Sequence, residues 1–100
     1  MDKLKDKIKS AIISQLRKKQ VYKFAHYQDL VNDYMEFWDI KNMLQEDIAV
    51  RGVSISTASG SKKNESISEL MKVNKQMLTI LYDLGIRASD LKVAEDIGKL

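Results

Sequence analysis

Proline is absent from the chain, and three of its four glycines, Gly52, Gly60 and Gly85, stand where a regular spacing of apolar residues stops. A backbone without proline keeps every amide donor and leaves every φ free to turn helical, so the stretches between those glycines can run as long helices. From Ala25 to Arg51, Tyr27, Leu30, Val31, Tyr34, Phe37, Trp38, Leu44 and Ile48 recur largely at steps of three and four, the spacing of one helix face. Gly52 follows where a left-handed C-cap closes a helix. Met35, Ile40 and Met43 lie off this stripe, so the helix is apolar on a second flank, the expected oligomerisation surface.

Two further helices are expected on either side. Leu4, Ile8, Ile12 and Leu16 are spaced four apart from Asp2 to about Lys19, with Ala11 and Ile13 widening the stripe and Gln20 to Lys23 as connector. After Arg51, Val53 and Ile55 alternate with serine long enough for one short β element, within a 53–63 loop that is otherwise small and polar. Ser66-Ile67-Ser68-Glu69 has the pattern of a capping box. Ile67, Leu70, Asn74, Met77, Leu81 and Leu84 then follow the alternating three and four steps of a coiled-coil seam as far as Gly85. Ser89 is placed to cap a last short helix over 90–97.

The expected fold is therefore all-α: a long antiparallel helical hairpin, an added N-terminal amphipathic helix and a short C-terminal helix. The expected division is 1–23 as a basic arm, 24–88 as the hairpin and oligomerisation core, and 89–100 as a C-terminal helix or tail. Running the stripes past each other places Phe37 opposite Leu78 and Lys41 opposite Asn74. Such a polar layer would reject shifted registers of the hairpin.

The charge distribution says more than the net +3. Residues 1–23 hold eight Lys or Arg against two Asp, whereas residues 24–51 hold two basic against six acidic residues. A basic arm before an acidic helix suits an anionic partner or contact between copies. Lys3, Lys5, Lys7, Lys9, Arg17, Lys18, Lys19 and Lys23, with Lys62 and Lys63 in the loop, are the candidate contacts to the phosphates of double-stranded DNA.

Signals for chemistry are missing. The chain has no cysteine and one histidine, His26, which excludes a disulfide framework, a thiolate nucleophile and a sulfur-bound zinc site. Glu46-Asp47 and Glu95-Asp96 point to different helix faces and fit solvated surfaces. Ser59-Gly60-Ser61-Lys62-Lys63 lacks the spacing of a phosphate-binding loop. The chain is expected to be no enzyme, to use no metal, cofactor or small-molecule substrate, and to have no membrane span, since no apolar run approaches the required length. A reducing intracellular compartment fits the absence of cysteine.

The run Asp29-Leu30-Val31-Asn32-Asp33-Tyr34-Met35-Glu36-Phe37-Trp38-Asp39-Ile40-Lys41 resembles a block of phage terminase small subunits, in the branch found beside HNH-endonuclease genes in cohesive-end phages. Asp47-Ile48 to Arg51-Gly52-Val53-Ser54, Lys62-Lys63-Asn64, Ser66-Ile67-Ser68-Glu69-Leu70, Asn74-Lys75-Gln76-Met77-Leu78 and Leu84-Gly85 continue it in order. The family's loop between the Arg-Gly-Val and Lys-Lys-Asn blocks is commonly longer and richer in glycine and aromatics than Ser54 to Ser61. The resemblance implies a protein of the infected bacterial cytoplasm that recognises the packaging-initiation site on viral DNA and assembles as a ring-like homo-oligomer. It would regulate the large terminase subunit without its ATPase or nuclease activity. The alternative is a helical adaptor or antitoxin-like protein that binds an acidic protein partner.

Overall fold

The computed structural model describes residues 3–91. Helix α1 spans Lys3–Lys18, α2 Ala25–Arg51 and α3 Glu65–Asp83; strands β1, Ser54–Thr57, and β2, Gly60–Lys63, lie between α2 and α3. The fold is all-α, with a helical hairpin whose closed end carries a small β-hairpin. The expectation from the sequence is one short β element in a 53–63 loop that is otherwise small and polar. Instead β1 finds an antiparallel partner, with Ser54 opposite Lys63 and Thr57 opposite Gly60. Ala58 and Ser59 are left as a two-residue turn, and Gly60, at φ 129°, takes a backbone conformation that a side chain would oppose.

Both helix ends that enclose the bundle's open end use the same device. At α3, the Gly85 N–H donates to the Tyr82 carbonyl and the Ile86 N–H to the Leu81 carbonyl, with Gly85 left-handed at φ 71°. At α1, the Gln20 N–H donates to Arg17 and the Val21 N–H to Leu16, with Gln20 at φ 62°. Each is a Schellman closure, and each folds the next apolar residue back onto the core, Ile86 in one case and Val21 in the other. A further helical turn follows at residues 88–91, begun by the Arg87 N–H donating to the Asp90 carboxylate rather than by Ser89. The rest of the expected helix over 90–97, and of the 89–100 segment, lies outside the described residues.

The core has two parts. Ile12 and Leu16 of α1, Val31 of α2, and Ile80 and Leu81 of α3 form one cluster with Leu84 and Ile86, which follow α3. Met35 and Trp38 meet Val73 and Met77 in the other. The first cluster shows why α1 matters: it covers the end of the hairpin where α2 begins and α3 ends. Of its own apolar stripe, Ile12 and Leu16 are buried there and Ile8 is half-buried, while Leu4 is 58% exposed.

Several expectations are corrected by this packing. The α3 seam passes through Val73, which is buried, and not Asn74, which is exposed, so Lys41 and Asn74 do not form a buried polar layer. Met77, Leu81 and Leu84 of the predicted frame are buried, and Val73 and Ile80 join them, so Val73 takes the seam position expected of Asn74. Leu78, expected opposite Phe37, is 67% exposed. Met35 is only 5% exposed within the single chain, packed with Trp38, Val73 and Met77, so it is core and not an oligomerisation surface; Ile40 and Met43 remain exposed. Packing on both neighbours accounts for this: Val31 is buried among α1 and α3 residues, Met35 and Trp38 against Val73 and Met77 beside Ile8, and Leu30, Tyr34, Phe37 and Leu44 are half-buried.

Candidate nucleic-acid interface and hairpin clamp

The ten basic residues singled out in the sequence fall into distinct settings. On α1, Lys3, Lys7 and Lys18 share the helix row opposite Ile8 and Ile12, with Ser14 between them, and all are exposed. Arg17 borders this row on one side, and Lys9 is exposed further round the helix on that same side. In the following turn, the Arg17 guanidinium lies 5.3 Å from the Tyr22 ring centroid and the Lys23 ammonium 5.4 Å from that of Phe24. The aromatic faces hold these two cations at the corner between α1 and α2 while leaving them exposed.

Two of the ten are used by the fold. Lys5 Nζ donates to Asp39 Oδ2 at 2.8 Å, tying the start of α1 to the middle of α2. Lys19 Nζ donates to the Gly85 carbonyl, joining the end of α1 to the closure of α3. Lys62 and Lys63 stand on β2 at the opposite end of the hairpin, Lys62 with Glu65 at 3.9 Å. From Asp39 to Arg51, α2 runs about 18 Å beyond the level at which α1 is tied. The structure thus brings the α1 cations together and keeps the β-hairpin lysines apart from them.

At the base of that β-hairpin lies a polar cluster that sequence reasoning left among solvated faces. Asp47 Oδ1 accepts from Arg51 Nε at 2.6 Å, and Asp47 Oδ2 accepts from Arg51 Nη2 at 2.8 Å, Ser66 Oγ at 2.6 Å and Asn64 Nδ2 at 3.2 Å. Asn64, 0% exposed, also donates through Nδ2 to the Gly52 carbonyl, while its Oδ1 accepts from the Ser66 N–H. Asn64 is therefore the N-cap of α3, in place of the predicted Ser66, whose hydroxyl turns to Asp47 instead. The cluster joins the end of α2, both ends of the β-hairpin and the start of α3, and so sets where the two long helices begin to pair.

The electrostatics follow from the donors. Hydrogen bonds from Arg51, Ser66 and Asn64 hold the Asp47 carboxyl well below its ordinary 3.8, because each favours the charged form. The same contact with Asp47 raises the Arg51 pKa. Two signals in the sequence pointed this way: Asp47 and Arg51 are four apart on a helix, and Asn64 stands just before a helix. The residues of this clamp fall within the blocks that carried the family resemblance. Among the described residues no three His, Cys, Asp or Glu side chains are grouped to hold a metal ion, and no helix is long and apolar enough to cross a membrane.

A helical hairpin closed by a polar clamp at one end, and crossed at the other by a helix with a cationic outer row, defines a small protein built around charged and apolar contact surfaces. A family model described as phage terminase, small subunit, matches residues 10–94, and the chain belongs to that family. No curated protein and no solved structure matches it.

Proposed function

We propose that this terminase small subunit binds the packaging-initiation site of viral DNA, assembles as a ring-like homo-oligomer, and recruits and regulates the large ATPase-nuclease subunit without catalysing a step itself. The finer placement, in the branch associated with HNH endonucleases and cohesive-end phages, rests on the sequence blocks quoted above. The site of action is the cytoplasm of the infected bacterium. In this reading residues 1–23 supply the DNA-binding arm, 24–88 the assembling hairpin and 89–100 a tail.

The observation that carries the DNA reading is the exposed row of Lys3, Lys7 and Lys18, bordered by Arg17, with Lys9 exposed further round on the same side. Phosphate binding requires point charges held at a surface and free of internal partners of opposite sign. Lys63, with Lys62 beside it in a 3.9 Å pair with Glu65, forms a second, smaller basic point at the other end of the hairpin, and Lys23 a third at the α1–α2 corner. Lys5 and Lys19 act chiefly by holding α1 against the hairpin. Ile40 and Met43 are the members of the predicted oligomerisation set that the monomer leaves available.

Incubating the assembled protein with fragments of the phage genome that encodes it tests this reading. Selective retention of one fragment in the presence of excess unrelated DNA is expected. Equal retention of all fragments would remove site recognition, and retention of none would favour the adaptor that binds an acidic protein.

A further inference from the structure

We infer that the helical hairpin carries two different apolar rows that fit each other, α2 of one copy docking on α3 of the next. This rests on the assembly proposed above and names its surfaces. On α2, Ile40, Met43 and Val50 follow one helix row, and Met43 is 70% and Val50 80% exposed. On α3, Met71, Leu78 and Tyr82 follow another, with Tyr82 83% exposed. None of the six belongs to either core cluster, whose positions are filled from other faces of the same helices. Large apolar side chains aligned along a helix, not scattered singly, mark a contact surface.

The rows match in length and differ in charge. Ten residues separate Ile40 from Val50 and eleven separate Met71 from Tyr82, about 15 Å and 16.5 Å of helix. Glu36 and Glu46 are exposed beside the α2 row; beside the α3 row Lys75 is exposed, and so is Lys72, which pairs with Glu69 at 3.4 Å. Pairing α2 with α2 would bring acid to acid, and α3 with α3 would bring lysine to lysine. Pairing α2 with α3 brings opposite charges together around an apolar centre. A second copy of this chain is therefore the occupant, in a heterologous contact. Each copy then offers one free row of each kind, so the contact repeats and closes when its rotation permits.

The test uses two variants with altered exposed residues, Met43→Glu/Val50→Glu and Leu78→Glu/Tyr82→Glu, each checked for helicity by circular dichroism and for mass by native mass spectrometry. Each variant alone is expected to be monomeric. Their mixture is expected to give a discrete dimer, because the first keeps an intact α3 row and the second an intact α2 row. Retention of the wild-type mass by either folded variant, or a mixture that stays monomeric, overturns the pairing while leaving assembly itself standing. A monomeric wild-type chain at micromolar concentration overturns both.

Discussion

The Ser66 hydroxyl donates a 2.6 Å hydrogen bond to the Asp47 carboxylate across nineteen positions of sequence, and this contact fixes the start of α3 against the last turns of α2. Asp47 serves Arg51 and Asn64 at the same time, so the clamp works as a unit. Replacing Asp47 by Ala should lower the melting temperature by more than replacing exposed Glu46 in the same way. Thermal unfolding followed by circular dichroism checks this, and equal effects would show that the clamp is idle.

Acid should act on the same group. The Asp47 pKa is depressed in the folded chain, so its contribution is fully present above the ordinary 3.8 and declines as pH falls below it toward the folded value. Wild type should therefore lose more stability between pH 5 and 2 than Asp47→Asn, a window set by the ordinary carboxylate value of about 4. Parallel acid limbs for the two proteins would contradict this.

Asn64 tests the clamp without changing charge. Its side chain caps α3 and is wholly buried, so Asn64→Ala removes a cap and leaves the Gly52 carbonyl without its side-chain donor. A loss of about 1–3 kcal/mol is expected in urea unfolding. A change below about 0.5 kcal/mol would mean that the α3 start is held by other contacts.

The long helices were legible because their apolar spacing is dictated by their own faces, and α2 spans Ala25–Arg51 as the spacing and Gly52 indicated. Which apolar residues are most deeply buried was not legible. Periodicity gives a stripe's position but not its neighbours, and the joint packing of α1 and α3 buries Val31, Met35 and Trp38 more deeply than Leu30 and Phe37. The same limit misplaced Asn74: a frame through Ile67, Leu70 and Asn74 and one through Leu70, Val73 and Met77 share residues, and only the three-helix contact separates them. Basic residues were easy to find, but the division between exposed Lys3 and Lys7 and structurally engaged Lys5 and Lys19 depends on Asp39 and Gly85, distant in sequence.

The two closures of the open end should respond in opposite directions to glycine chemistry. Gln20 holds φ 62° at a cost that glycine avoids, so Gln20→Gly should raise stability by about 0.5–1 kcal/mol. Gly85, at φ 71°, would place a Cβ 3.2 Å from Lys19 Nζ, so Gly85→Ala should lower stability by about 1–2 kcal/mol. Paired urea titrations decide this, and changes of the same sign would show that these turns do not carry the strain assigned to them.

The proposed DNA binding rests most on α1 presenting its outer row to the phosphates. Fluorescence anisotropy of the intact assembly on its duplex site, across a salt series, measures that directly. Wild type is predicted to lose affinity steeply with salt. Lys3→Ala/Lys7→Ala/Lys18→Ala, with unchanged melting temperature, is predicted to have a log–log slope shallower by about 0.9 for each phosphate contact removed. A flat wild-type response, or an unchanged slope in the folded triple variant, would contradict it.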